Sequence, residues 1–124
     1  MSGAAIQAPD PRPLVAHRDA GWVVVGSRCS ACGYPSAYRR PRCPLCAASN
    51  VEAEHGPEGV VWSSTVVRIP IPGREPPYAL AYVDLTEGPR MLAHLDGERA
   101  LSIGTRTKIV GLTETGDILV EACS

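Results

Sequence analysis

Phenylalanine is missing from this 124-residue chain, and aromatic side chains amount to 5% of it. A core must therefore be assembled from Val, Leu, Ile and Ala, with Trp22, Trp62 and the four tyrosines as the bulky exceptions. An excess of either charge is missing too: 12 basic against 13 acidic residues give a formal net charge of -1. Such a balance offers no general attraction to a phosphate backbone and disfavours nucleic acid as a partner. No run comes near the roughly 18 apolar residues that cross a bilayer, so no membrane association is expected. Residues 1–13 lack the basic-then-apolar order of a secretory leader. A cytoplasmic, reducing setting is the expectation, and in it thiols stay free to hold metal. Finally, no stretch has the length and periodicity of an ordinary helix, and no segment repeats.

Against these absences stand five cysteines. Cys29-Ser30-Ala31-Cys32 and Cys43-Pro44-Leu45-Cys46 are two C-x2-C pairs separated by ten residues. One fold-back of the chain between them presents four thiolates as a tetrahedron. That is the arrangement of a structural zinc site, whose closed shell leaves no position for substrate. Gly33 stands where such a knuckle needs a positive φ, and Pro44 stiffens the second pair. Iron is the rival, because four-thiolate tetrahedra hold it as well and both knuckles have rubredoxin character. The gap between the pairs is much shorter than in a rubredoxin, which favours zinc. Two disulfides are disfavoured by the expected compartment and by the spacing. The reading is one structural Zn2+ on Cys29, Cys32, Cys43 and Cys46. Cys123 is left over, a small hydrophobe or a free thiol near the end of the chain. Between the knuckles lie Tyr38, Arg39, Arg40 and Arg42. They form a solvated ribbon tip, or a contact for an anionic ligand or acidic partner if the three guanidinium groups converge.

The rest of the chain reads as strands and turns. Residues 1–20 are expected to be a disordered or weakly structured tail, proline-rich at first and with at most one helical turn over residues 14–20. Residues 21–55 form the ribbon, entered by a β-branched strand from Trp22. A boundary at Gly56-Pro57-Glu58-Gly59 opens the second module, residues 56–124. There, residues 60–69 make a strand whose apolar pattern fails to alternate, which predicts a bulge, with Trp62 as the largest group available to the core. PIPGREPP, residues 70–77, is a stiff loop. Tyr78 onward alternates cleanly: Ala79, Ala81, Val83 and Leu85 share one face, small enough for a narrow barrel interior. Met91, Ala93 and Leu95 continue that face in a hairpin partner. Residues 96–104 form a connector with one helical turn, and residues 105–112 and 117–122 a final hairpin. Five strands with this connector predict an OB-type barrel. The fold class is mainly β: an N-terminal rubredoxin-like zinc ribbon followed by a five-stranded OB-fold barrel.

The order CxxCG, RRPRCPLC, EGVVWSSTVV, PPYALAYVDLTEGPRMLAHL and IGTRTKIV resembles the small zinc-ribbon plus OB-fold proteins associated with acyl-CoA chemistry, a family long described as a domain of unknown function. The resemblance covers residues 22–122, and the PYALAYVDLTEG segment is its specific part. It implies a non-catalytic partner subunit of a thiolase-like enzyme, in which the reactive Cys and His belong to the partner and the small subunit stabilises the complex and helps enclose acyl-CoA. The sequence agrees in that only His17, His55 and His94 are present and no triad motif surrounds them. His94, the one candidate for chemistry, reads as an outward group on a barrel strand. A subunit holding CoA needs cations for phosphate and a flat wall for the pantetheine arm. The candidates for CoA or partner contact are Arg39, Arg40, Arg42, Arg68, Arg74, Arg90, Tyr78 and Tyr82, with Arg106 and Lys108 on the same module. Two other classes remain as alternatives: a single-stranded nucleic-acid binder of ribbon and barrel type, and a rubredoxin-like electron carrier.

Overall fold

The structure is a computed structural model and describes residues 12–123. Its first unit is a small sheet organised around β2 (Gly21–Cys29), which β1 (Leu14–Arg18) and β3 (Pro35–Ser36) pair on one side and β4 (Asn50–His55) on the other. The β1–β2 hairpin turns over Asp19 and Ala20, with Arg18 opposite Gly21. Residues 14–18 are therefore a strand, and neither the tail nor the helical turn expected of them. A seven-residue helix has no stability of its own, whereas the edge of β2 offers five successive ladder positions from Leu14↔Val25 to Arg18↔Gly21. The remainder of the expected tail, residues 1–11, lies outside the described residues.

The second unit is a closed barrel of β5 (Glu58–Val67), β6 (Tyr78–Leu85), β7 (Arg90–Leu95), β8 (Arg106–Leu112) and β9 (Ile118–Ala122), in the order β5-β6-β7-β9-β8. All its neighbours are antiparallel except β7 and β9. The interior is the face read from the alternation: Ala79, Ala81, Val83 and Leu85 from β6 meet Met91, Ala93 and Leu95 from β7, joined by Ile109, Ile118 and Val120. The small residues on β6 fit the narrow bore that five strands enclose.

The expected bulge lies between Val61 and Ser63. It adds one residue to β5, and that residue is Trp62. Val61 stays buried while Trp62 is turned out, 48% exposed, so the largest aromatic does not fill the core as the sequence suggested. The connector of residues 96–105 contains no helical turn. Its backbone serves the bulge instead: Gly104 donates to the Val61 carbonyl at 2.9 Å, Val61 to Thr105 at 2.9 Å, and the Leu101 amide to Ser64 Oγ at 3.0 Å. These bonds occupy donors and acceptors that a helix would have needed for itself.

The core does not stop between the two units. Val24 and Ala37 from the first sheet belong to the same buried cluster as the barrel residues, and Val15 and Trp22 lie against it. Gly26 makes this possible, because β3 and the chain after it cross directly over its backbone. A methyl group there would strike the Ser36 carbonyl and come within 2.9 Å of the Ala37 carbonyl carbon. Gly26→Ala is accordingly expected to cost about 3 kcal/mol or more, read as a shift of the denaturant midpoint. Ser49→Ala, in an exposed position, should leave that midpoint nearly unchanged.

Candidate functional site

The end of β2, the ribbon tip and the start of β4 bring Cys29, Cys32, Cys43 and Cys46 together, with all four sulfur atoms within 4.8 Å of one another. Cys29 and Cys46 Sγ are 3.5 Å apart, and Cys32 and Cys43 Sγ 3.6 Å apart. Zn–S bonds of about 2.3 Å would set the sulfurs of a regular tetrahedron roughly 3.8 Å apart, so the donor set fits a tetrahedral metal. Each pair is a knuckle of the same build. Gly33 N donates to the Cys29 carbonyl at 3.1 Å and Ala47 N to the Cys43 carbonyl at 2.9 Å. Amides of Ala31 and Cys32 point at Cys29 Sγ, and that of Leu45 at Cys43 Sγ, each at 3.3 Å.

These contacts set the thiol acidities. Cys29 is pulled down to about 6, first by the Cys32 amide, against burial and with help from the Ala31 amide. Cys32 is pushed up to about 12: the Tyr34 amide works the other way, but neighbouring Cys29 and burial prevail. Four adjacent sulfurs cannot all ionise unaided, and a coordinated cation is what allows it.

The two knuckles differ at the left-handed position that follows each pair. Gly33 takes φ 79°, as its position requires, but the equivalent residue of the second knuckle is Ala47, at φ 65°. A left-handed alanine carries a penalty of about 1–2 kcal/mol, so Ala47→Gly should raise stability by about 0.5–1 kcal/mol after the extra entropy of glycine in the unfolded chain is subtracted. Urea titration of the two proteins measures it.

The three ribbon-tip arginines do not converge. Arg39 pairs with Glu52 at 3.5 Å, Arg42 donates to the Ala47 carbonyl at 3.0 Å and so braces the second knuckle, and Arg40 lies 5.6 Å from the Tyr38 ring. Of the three, Arg40 faces the barrel, across a hollow of about 570 Å³ that it lines with Tyr34, Tyr38, Asp84 and Arg90. A second hollow of about 350 Å³ shares Tyr38 and Arg90 and continues past Tyr82 and Leu92 to His94 and Asp117. The two make one groove between ribbon tip and barrel. Arg90, Arg40 and Tyr82 thus come together. Arg68 is exposed at the end of β5, apart from them.

Arg74 and Tyr78 belong to a different assembly. Arg74, from the proline-rich loop, bonds Asp117 Oδ2, reaches Thr115 Oγ1 at 3.2 Å and His94 Nδ1 at 3.2 Å, and lies 5.2 Å from the Tyr78 ring. His94 Nε2 faces Asp117 Oδ2 at 3.6 Å, and its ring stacks on Tyr78 at 6.1 Å. Arg12 adds bonds to the Thr115 carbonyl and to Asp117 Oδ1. His94 is therefore a half-buried bridging group rather than the outward one expected, with Nδ1 accepting from Arg74 and Nε2 turned toward Asp117. Asp117 escaped notice in the sequence because His94, Arg74 and Arg12 stand 23, 43 and 105 positions away, and no local pattern joins them. Asp84 was within reach: the alternation on both strands places it opposite Arg90, where it accepts two bonds at 2.6 and 3.1 Å.

Burial, then the Arg74 charge, holds His94 below its ordinary 6.5. Burial likewise lowers His55, which lies beneath the first sheet with Nε2 3.2 Å from the Ser27 carbonyl. Asp117 is below its ordinary 3.8: burial opposes this, but the Thr115 hydroxyl and Arg74 outweigh it. In all three the unfolded chain binds protons more readily, so stability is lost as pH falls, for the histidines from 6.5 downward. His55→Gln and His94→Gln should each flatten the fall in stability between about pH 7 and 5, followed by denaturant midpoints across that range.

A closed OB-type barrel behind a small sheet that carries a four-cysteine cluster defines a class of protein. Within it the barrel is of the ChsH2 OB-fold family: residues 52–112 match the family model described as ChsH2, C-terminal OB-fold domain. A DUF35 domain-containing scaffold protein of Pyrococcus furiosus is 40% identical over 75 residues, 58% of this chain and 54% of the relative. A probable enoyl-CoA hydratase alpha subunit of Thermomonospora curvata is 34% identical over 96 residues, 70% of this chain and 30% of the relative. The chain thus spans about half the length of the first and less than a third of the second. Among solved structures, a chain of the Ltp2-ChsH2(DUF35) aldolase superposes with a TM-score of 0.66 at 29% identity, covering 81% of this chain and 84% of that one. No helix of the described residues is long and apolar enough to cross a membrane.

Proposed function

We propose that this chain is a non-catalytic, zinc-clamped subunit that assembles with a thiolase-like enzyme acting on acyl-CoA thioesters, in a cytoplasmic, reducing setting. In this reading residues 21–55 are the zinc ribbon and residues 56–124 the barrel. The subunit stabilises the complex and helps enclose the CoA portion of the substrate. The partner performs the condensation, thiolysis, retro-aldol cleavage or acyl transfer. The observation that carries the reading is the state of His94: its Nδ1 accepts from Arg74 at 3.2 Å, so the nitrogen that could take a proton is already engaged and the ring N–H lies on Nε2, 3.6 Å from Asp117 Oδ2. A general base needs one free nitrogen within reach of the proton that it removes. The four clustered thiols are likewise suited to holding a metal and not to attacking a thioester. Likeness to a scaffold protein and to a chain of an aldolase complex supports the same conclusion.

For CoA, the groove between ribbon and barrel is the better of the two assemblies. Arg40 supplies a cationic group for phosphate, and Tyr38 and Tyr82 a flat wall for the pantetheine arm, while Arg90 is held in its pair with Asp84. Arg39 and Arg42 are engaged elsewhere, and Arg74 with Tyr78 supports the loop. Zinc on Cys29, Cys32, Cys43 and Cys46 would fix the ribbon tip that forms one wall of this groove.

Two measurements test the reading. Metal analysis of the purified chain should give one zinc per chain and a colourless protein, and stripping the metal with a chelator should lower the melting midpoint by roughly 10 °C or more. The chain alone should show no turnover of acetoacetyl-CoA, and should co-elute with a thiolase-like protein of the same organism and raise that enzyme's activity. Turnover by the isolated chain would overturn the proposal.

A further inference from the structure

We propose that the outer face of β5, β6 and β7, centred on Trp62, Tyr82 and Leu92, is the surface on which the thiolase-like partner docks. This rests on the functional reading above and adds to it the place of contact.

Outward positions of an antiparallel sheet that faces water are ordinarily polar. Here they are not. Tyr82 and Leu92 stand directly opposite each other in the β6–β7 register, and the bulge sets Trp62 beside them, its ring 6.0 Å from that of Tyr82. All three are close to half exposed, at 48% for Trp62, 45% for Tyr82 and 48% for Leu92. Val60, on the same outer side of β5, is 41% exposed. Between Leu80, Tyr82, Leu92 and the Ser63–Thr65 backbone lies a depression of about 220 Å³, room for one apolar side chain of a partner.

Charge decides what kind of partner this is. At the edge of the face the Arg90 guanidinium lies 3.8 Å from the Trp62 ring centroid and forms two bonds to Asp84, at 2.6 and 3.1 Å. The pair is neutral, and it covers one side of the indole. A phosphate backbone would find no free cation in this pair, and the indole side under Arg90 is closed to base stacking. Nor does an anionic lipid surface gain anything from a compensated arginine. The complement to an uncharged apolar face is another such face, which is what a protein interface has at its centre. Trp, Tyr and Arg are also the residue types in which binding energy concentrates. Here Arg90 and Tyr82 hold Trp62 in place before any partner arrives, so little order remains to be imposed on binding.

The test uses the full chain, co-expressed with a thiolase-like protein of the same organism. Leu92→Glu places a charge at the middle of the face. Ile103→Glu, on the connector of residues 96–105 and 78% exposed, is the control. The wild type and Ile103→Glu should form the complex equally well by size exclusion with light scattering, and Leu92→Glu should weaken it at least tenfold by calorimetry, with its own melting curve unchanged. Hydrogen exchange on the wild-type complex, which needs no variant, should show β5–β7 newly protected. If the wild type forms no complex, the functional reading fails and this proposal with it. If the complex forms but Leu92→Glu binds normally and β5–β7 gain no protection, the docking face is wrong and the functional reading stands. Equal weakening by Ile103→Glu also overturns the assignment. So does a wild-type dimer that Leu92→Glu converts to monomer, since a second copy would then cover the face, and so does binding of a thirty-nucleotide oligo-dT that Trp62→Ala abolishes.

Discussion

Four sulfur atoms gathered within 4.8 Å impose the condition on which the rest of the structure depends. As free thiols they would make poor packing and compete for protons, and as thiolates they would repel. A cation held by them would remove that repulsion, and whatever the chain carries between the two cysteine pairs would inherit its position from the coordination. Ala37 is one such passenger, delivered into the barrel core. Tyr38 and Arg40 are others, delivered to the groove. Coordination of this kind supplies free energy that a segment of this size cannot obtain from apolar burial alone.

Much of this was legible beforehand, and for a consistent reason: it depends on neighbours in sequence. The C-x2-C spacing, the glycine after the first knuckle, the alternation on β6 and β7 and the irregular β5 are local patterns, and each marks its structure directly. The failures are of one kind as well. Leu14–Arg18 became a strand because β2 was there to receive it. The connector gave up its helical turn because Val61 and Ser64 offered better partners. Trp62 left the core because a bulge, correctly anticipated, decides which side the extra residue takes, and no sequence rule fixes that choice. The arginines show the limit most clearly. Three in a row of four residues suggested a cluster, yet Glu52, Tyr38 and the Ala47 carbonyl draw them apart.

The barrel has its own clasp. Arg74 ties the loop between β5 and β6 to the turn between β8 and β9 through Thr115 and Asp117, and His94 and Arg12 complete the arrangement. Two carboxylate oxygens thereby serve three cationic or imidazole groups, which explains why Asp117 resists protonation despite its partial burial. Such shared networks gain more from mutual polarisation than isolated surface pairs do.

The ladder that closes the barrel joins Glu58–Val60 to residues 106–108, nearly fifty positions further along, and only three residue pairs form it. The β1–β2, β6–β7 and β8–β9 pairs, by contrast, each span a short turn. Loop closure over so long an interval is entropically costly and is repaid only when the ring is complete. Assembly is therefore ordered in time: hairpins come first, and the seam that makes a cylinder of them comes last.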